Sequence, residues 1–242
     1  MYFAKTFFTK KIELLKLSDE IIDALSIDCV VFGFKDSSLS VLLVKHGDGI
    51  TKGKWALPGG WIKYNESLDK AAYRILTSQT AVQNIYLEQF HVFGEVNRFP
   101  VKRVITVCYY ALVNIQNFAL HAGPTVSDVV WFNVEKVPKM SFDHNKIFKQ
   151  CFAHLQHKVQ HEPIGFNLLP KKFTLLQLQE LYEAILEKKL DKPNFRRKLI
   201  KMNLLVSSTE KQKDVSHRAA QLFRFDKKVY DRLIEKGFSF EI

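Results

Sequence analysis

The stretch GGWIKYNE at residues 59–66, followed by a helical pattern at residues 67–82, organises this chain of 242 residues. Two glycines permit a sharp bend, a polar loop ends at Glu66, and apolar side chains then recur at i, i+3, i+4, i+7 and i+8. That spacing is typical of one buried helix face. The apolar positions are Leu68, Ala71, Ala72, Ile75 and Leu76. The sequence therefore predicts a bend, a loop and an amphipathic helix in direct succession.

This stretch resembles the Nudix box, the loop–helix signature of enzymes that hydrolyse nucleoside diphosphates linked to another group. Gly60, Glu66 and Arg74 match the signature. Enzymes with this signature carry metal-binding glutamates further along the helix. This chain has Ile75, Ser78 and Gln79 at those positions.

The three replacements remove negative charge from the place where a metal would bind. Mg²⁺ prefers hard oxygen ligands and depends on anionic side chains. We therefore expect no catalytic residues and no metal cofactor, and we interpret Glu66 and Arg74 as a loop–helix ion pair that is kept for folding. A Nudix hydrolase that uses Mg²⁺ remains the alternative function.

Apolar runs on both sides of the box predict the strands of a sheet. The runs at 27–34 and 39–45, separated by the polar turn 35–38, predict an antiparallel hairpin. Further strand-like runs lie at 85–87, 90–94, 104–113 and 129–132, and helical runs lie at 12–25 and 146–159. Strands interrupted by helices predict an α/β/α sandwich with a mixed sheet.

Charge divides the chain near residue 160. The formal net charge is +11, and residues 161–242 hold 17 Lys and Arg against 11 Asp and Glu. The last third is therefore the more densely positive part, which favours a polyanionic partner, although a generally basic surface gives the same totals. We expect an N-terminal extension at 1–23, a Nudix-like domain at 24–160 and a second domain at 161–242.

Cysteine usage and hydropathy point to the cytoplasm. The three cysteines, Cys29, Cys108 and Cys151, are far apart and form no metal-binding pattern. They predict neither a disulfide framework nor a zinc site. No apolar run approaches the roughly 20 residues that span a membrane, so we expect no membrane partner.

The C-terminal part has the order of a winged helix-turn-helix. A capping box at Thr174 and Gln177 begins one helix, and Asp191 is a suitable N-cap for a second helix at about 192–202. A strand at 204–206, a basic loop and a strand at 221–225 follow. In a winged helix the second helix enters the major groove of DNA and the loop contacts the backbone.

The second helix and the loop supply the candidate DNA-binding residues. Arg196 and Arg197 are the candidates for base edges, because a guanidinium can bind guanine through two hydrogen bonds. The remaining candidates are polar or cationic, with the lysines assigned to phosphate: Lys192, Asn194, Lys198, Lys201, Lys213, His217 and Arg218. A solvated helix in a small α+β domain is the alternative interpretation.

A small-molecule site is predicted beside the box. The loop 94–103 brings Arg98, Lys102 and Arg103 together and is a candidate for binding phosphate or sugar hydroxyls. A solvated turn is the competing interpretation. The full candidate set is Lys45, Trp55, Asn97, Arg98 and Arg103, with Asp143 and His144 as weaker candidates.

The combination of a degenerate Nudix box and a winged helix resembles the Nudix-related transcriptional regulators. Segments at 27–34, 142–144 and 162–170 are similar to the members that control sugar use, in particular those that respond to L-arabinose. The resemblance implies a non-catalytic effector domain that senses ADP-ribose or a pentose. It also implies a homodimer that binds a palindromic double-stranded operator. A non-catalytic RNA-binding protein is a third possibility.

Overall fold

A computed structural model describes residues 24–212 and 219–242. The predicted extension at 1–23 lies outside the described residues, as does nearly all of the helix predicted at 12–25. Leu25, the last residue of that predicted helix, begins the first strand instead.

Seven strands form a mixed sheet in the N-terminal part. Their order is β3-β2-β1-β6-β5, with β4 paired to β1 and β7 paired to β2. The strands are β1 Leu25–Lys35, β2 Ser38–His46, β3 Trp55–Ala56, β4 Gly59–Trp61, β5 Glu88–Phe93, β6 Ile105–Asn114 and β7 Val126–Asn133. Strands β1 and β6 run parallel over ten residue pairs, from Leu25 beside Ile105 to Phe34 beside Asn114. The predicted mixed sheet is confirmed.

The predicted hairpin joins β1 to β2. Phe32 pairs with Val41 and Lys35 with Ser38 in antiparallel register. Asp36 and Ser37 both have positive φ, at 50° and 59°. Two consecutive left-handed residues give a tight turn whose twist matches that of the strands.

The box forms the predicted bend and helix. Helix α1 spans Leu68–Thr80; the Ser67 hydroxyl accepts from the Lys70 amide at 3.3 Å, and the left-handed Ala81 ends the helix. Ala71, Ala72, Ile75 and Leu76 pack on one face of the sheet. Leu68 is 37% exposed, so the buried face begins one turn later than the spacing predicts.

Helix α2, His144–His161, covers the opposite face of the sheet. It begins two residues before the predicted helix. The strand predicted at 85–87 is wrong, because Asn84 has positive φ and the chain joins the sheet only at Glu88.

The C-terminal part has the predicted order of elements. A 3-10 helix, Pro163–Leu168, leads into α3 Leu175–Leu186, α4 Lys192–Lys201, β8 Leu205–Lys211, β9 Gln221–Phe225 and α5 Lys227–Glu235. The capping box at Thr174 and Gln177 and the N-cap at Asp191 are both present. Phe173 exchanges two backbone hydrogen bonds with Phe223, which adds a short third strand to the β8–β9 hairpin. Helix α5 was not predicted.

Two further predictions concern the cysteines and the apolar character of the helices. All three cysteines are unpaired and buried, and burial raises the pKa of each thiol. Among the helices of the described residues, none combines the length and the apolar character that crossing a bilayer requires.

One apolar core continues across the predicted domain boundary. Phe32 and Leu43 of the sheet, Leu155 of α2 and Leu181 of α3 belong to the same cluster of buried side chains. The C-terminal helices therefore share the apolar core of α2 and of the sheet. Helix α3 also contacts the β1–β2 turn, where Ser37 Oγ donates to Glu180 Oε2 at 2.8 Å.

This shared core predicts cooperative unfolding. Leu155 is fully buried, and a Leu→Ala change at such a site costs about 2–5 kcal/mol. We expect Leu155→Ala to lower the urea midpoints reported by Trp fluorescence and by far-ultraviolet circular dichroism equally. Leu176→Ala, at a 46% exposed position on α3, is the control and should change little. Two separate transitions in the wild-type protein would contradict a shared core.

Candidate functional site

A cavity of about 380 Å³ lies beside the box. Its walls come from the bend at β4, from residues 46–51, from the loop before β6 and from the start of α2. The volume lies within the range of roughly 300–1,000 Å³ that is usual for small-molecule sites.

Three aromatic rings form one wall of this cavity. The Trp61 and Phe99 ring centroids are 5.9 Å apart, and those of Phe99 and Phe142 are 4.7 Å apart. Trp61 is 49% exposed, so part of its ring is accessible. Because the planes of Trp61 and Phe99 are inclined by 83°, a planar ligand can stack on the face of one ring at a time.

A buried arginine lies between two carboxylates at the cavity. Arg98 Nε and Nη2 donate to the two Asp143 oxygens at 3.0 Å and 2.9 Å. The same Nη2 is 3.4 Å from Asp28 Oδ2. The Arg98 and Asp28 side chains are 4% and 7% exposed. Because a buried charge requires partners, these contacts fix the position of the guanidinium.

Two histidines complete the polar part of the cavity. His144 Nδ1 accepts from the Leu57 amide at 3.0 Å, so its Nε2 carries the proton and points to Asp28 Oδ1 at 3.6 Å. Burial lowers the pKa of His46 at the rim. Asp28 also packs under Gly59, where an added Cβ would overlap Asp28 Oδ1. Only glycine fits at that point of the bend.

Gln79 holds the bend by a pair of hydrogen bonds. Its Oε1 accepts from the Gly59 amide at 3.0 Å, and its Nε2 donates to the Gly59 carbonyl at 2.9 Å. The amide offers both a donor and an acceptor, whereas an ionised glutamate has no donor. At a position where the resemblance implies a metal-binding glutamate, this chain has a side chain suited to binding its own backbone.

Glu66 and Arg74 form the expected loop–helix ion pair. Arg74 Nε and Nη2 donate to the two Glu66 oxygens at 2.7 Å and 2.5 Å, and Nη2 also donates to the Trp61 carbonyl at 2.9 Å. The hydrogen bonds from Arg74 lower the pKa of Glu66 to about 2. Ile75 is buried, and Ser78 donates to the Ile75 carbonyl. Within residues 24–212 and 219–242, no three His, Cys, Asp or Glu side chains are grouped as metal ligands.

The cavity contains only part of the predicted ligand-binding set. Arg98 lines it, as does Gly60 of the box, whereas Lys45, Trp55, Asn97 and Arg103 do not. Lys45 and Trp55 are paired across β2 and β3, with the ammonium 5.7 Å from the ring centroid. The Trp55 ring also packs edge-on against Phe132 at 4.7 Å. The Lys45 and Trp55 side chains thus contact each other away from the cavity.

The remaining two candidates are on the loop that carries Arg98. Asn97 is exposed, and Arg103 is half-buried with its Nη1 unpartnered. The weaker candidates Asp143 and His144 are beside Arg98. Sequence reasoning did not select Asp28, Phe99 or Phe142 as site residues. A charged residue within the apolar run 27–34 was the one available signal for Asp28.

Helix α4 carries the candidate DNA-binding residues. Phe195 and Leu199 are buried and hold the helix to the core. The side chains of Lys192, Asn194, Arg197, Lys198 and Lys201 are exposed, and Arg196 is half-buried with an unpartnered Nε. Arg197 contacts Asn194 Oδ1. Lys213, His217 and Arg218 lie outside the described residues.

Two family models match the chain. Residues 23–151 match the NUDIX domain, and residues 165–225 match the NrtR DNA-binding winged helix domain. The matches agree with the observed Nudix-like α/β sandwich and with the C-terminal winged helix.

Known proteins are similar over most of the chain. A protein of Acinetobacter baylyi, named ADPR responsive transcriptional repressor NtrR, is 33% identical over 211 residues, which are 86% of this chain and 84% of the relative. The crystal structure of Shewanella oneidensis NrtR complexed with a 27mer DNA has a TM-score of 0.73 and 30% identity, and the match covers 89% of this chain and 97% of that one.

A structure of the NUDIX domain of Shewanella oneidensis NrtR complexed with ADP ribose is also similar. Its TM-score is 0.55 at 32% identity, with 60% of this chain and 98% of that chain covered. These three matches, which belong to two proteins, give no support to the expected likeness to arabinose-responsive regulators.

The paired hydrogen bonds of Gln79 give a testable prediction. We expect Gln79→Glu to destabilise the fold by about 1–3 kcal/mol, because a carboxylate would leave the Gly59 carbonyl without its donor. Urea denaturation at pH 7 measures the change. Gln83→Glu, at an exposed position just beyond the helix, is the matched control. An unchanged midpoint in Gln79→Glu would show that the amide does not hold the bend.

Proposed function

The chain belongs to the NrtR family of Nudix-domain regulators, and we propose that it is a DNA-binding transcriptional repressor whose Nudix-like domain binds ADP-ribose. The cavity beside the box is the observation on which this function rests: it combines an aromatic wall with a buried arginine. The helix beside it holds its own backbone through Gln79. These features support a site that binds a ligand and does not hydrolyse it.

The lining of the cavity suits the parts of ADP-ribose. The adenine ring can stack on one of the rings of Trp61, Phe99 and Phe142, whose planes are inclined to one another by 83° and 51°. The diphosphate carries negative charge, for which Arg98 is a guanidinium partner. A pentose has neither an aromatic ring nor a phosphate, so it would leave both features without a partner. We therefore propose ADP-ribose over a pentose as the effector.

Helix α4 supports the DNA-binding half of the function. It presents Arg197, Lys198 and Lys201 to solvent, and the buried Phe195 and Leu199 hold it in place. An exposed cationic helix can contact both phosphates and base edges in the major groove. We also propose that the protein is cytoplasmic, because a repressor acts on the chromosome. We further propose a homodimer whose two α4 helices bind a two-fold symmetric operator.

The first test concerns the basic helix. The double substitution Arg196→Ala with Arg197→Ala should weaken binding to the promoter DNA of the neighbouring genes, by about 1–3 kcal/mol for each base that an arginine recognises. Fluorescence anisotropy with a labelled duplex measures the dissociation constant. Wild-type binding should also fall steeply with salt, because phosphate contacts release counterions.

A charge-matched control separates base reading from overall charge. Lys136→Ala with Lys139→Ala removes the same charge from exposed positions in the Nudix-like part, and it should leave the affinity nearly unchanged. Equal losses of affinity in the two double variants would contradict the assignment of α4 as the reading helix.

The second test concerns the effector. Isothermal titration calorimetry should show ADP-ribose binding in the presence of EDTA, with no response to arabinose or ribose. Phe99→Ala should weaken ADP-ribose binding by about 1–3 kcal/mol, the usual contribution of one base stacked on an aromatic ring. Tyr86→Ala removes an aromatic side chain that is 77% exposed and outside the cavity, and it should not change the affinity. Mg²⁺-dependent release of AMP would support the hydrolase alternative instead.

A further inference from the structure

Arg98 is the one Lys or Arg that lines the cavity within the described part of the chain. Its guanidinium already binds both Asp143 oxygens and lies 3.4 Å from Asp28. An anionic ligand in this cavity therefore meets a cation whose charge is offset by two carboxylates. A bound diphosphate would compete with Asp143 and Asp28 for the charge of Arg98, because Asp143 already contacts its Nε and Nη2 and Asp28 its Nη2.

Asp143 connects the binding of an anion at Arg98 to the start of helix α2. It is the residue immediately before α2, yet its side chain makes no capping hydrogen bond to the helix. The carboxylate instead accepts both hydrogen bonds from Arg98. The next residue, His144, is fixed by the Leu57 amide. The position of the start of α2 thus depends on residues that line the cavity.

The other end of α2 contacts the winged helix. Helix α2 has 18 residues, or about 27 Å at 1.5 Å per residue. In its last turns, Gln156 Nε2 donates to the Ile185 carbonyl of α3 at 2.9 Å, and the amide of Ile242 donates to the Gln160 carbonyl at 3.0 Å. Leu155 and Val159 share a core with α3. A displacement of α2 would therefore act directly on the part that carries α4.

We propose that the Arg98–Asp143 ion pair couples effector binding to DNA binding, with α2 as the connecting element. The inference rests on the proposed function. A phosphate that draws Arg98 away from Asp143 releases the start of α2, and α2 passes the displacement to α3 through Gln156 and the shared core. By thermodynamic linkage, ADP-ribose must change the affinity for DNA by the same factor by which DNA changes the affinity for ADP-ribose.

Asp143→Asn tests the coupling with two readouts that change in opposite directions. The amide keeps the shape of the side chain but removes the negative charge that competes with the diphosphate. ADP-ribose should bind several-fold more tightly. The coupling ratio, measured as the operator dissociation constants with and without saturating ADP-ribose, should fall from the usual allosteric range of about 5- to 150-fold to roughly 3-fold or less. A purely structural role would not strengthen effector binding.

Glu95→Gln is the matched control. Glu95 and Lys146 form an ion pair at 3.3 Å between the same loop and the same helix, but their side chains are 69% and 48% exposed. The control removes the same charge from solvent, outside the cavity, and should change neither the effector affinity nor the coupling ratio.

Gln156→Ala tests the far end of α2 and also serves if Asp143→Asn fails to fold. It should lower the coupling ratio and leave the ADP-ribose affinity of the DNA-free protein unchanged. Wild-type coupling in a folded Asp143→Asn protein, weaker ADP-ribose binding in that variant, or wild-type coupling in Gln156→Ala would overturn the inference. Failure of the wild-type protein to bind the operator or ADP-ribose would instead remove the proposed function itself.

Discussion

Helix α2 has to bury apolar side chains against two partners at once. Ile147, Phe148 and Cys151 face the sheet, and Leu155 and Val159 continue into the core that α3 shares. Because both contacts lie on one rigid helix, the sheet and the C-terminal helices have little freedom to move independently. The cavity is at the beginning of this helix and the winged helix is near its end. The packing of α2 thus connects the two halves of the molecule.

The box keeps the loop–helix frame of the Nudix signature, with other side chains at the positions of the glutamates. Both carboxylate oxygens of Glu66 accept hydrogen bonds from Arg74. Ile75 is buried beneath Gly60. Gln79 binds both the amide and the carbonyl of Gly59. Each contact ties the loop to helix α1, so the carboxylate and the amide stabilise the bend. The preserved bend supplies Trp61 and the glycines that line the cavity. The cavity is thus formed on this frame although Ile75, Ser78 and Gln79 stand at the glutamate positions.

Local patterns predicted the elements well, and long-range contacts explain what they missed. The capping box at Thr174 and the N-cap at Asp191 are determined by neighbouring residues, so the sequence was sufficient to find them. The run 85–87 looked like a strand, but the left-handed Asn84 directs it away from the sheet. The cavity joins Asp28 to Arg98 across 70 residues, and no local period shows that pairing. Lys45 and Trp55 contact each other and do not line the cavity. This contact depends on the register of β2 and β3.

The central claim is that one molecule binds operator DNA and ADP-ribose, and that each affects the other. The most direct measurement is a fluorescence-anisotropy titration of the full chain with promoter duplex, repeated at increasing ADP-ribose in EDTA-containing buffer. We expect the operator dissociation constant to change progressively and to reach a plateau once the cavity is saturated, without added metal. A dissociation constant that is independent of ADP-ribose, or that changes only when Mg²⁺ permits hydrolysis, would contradict the claim.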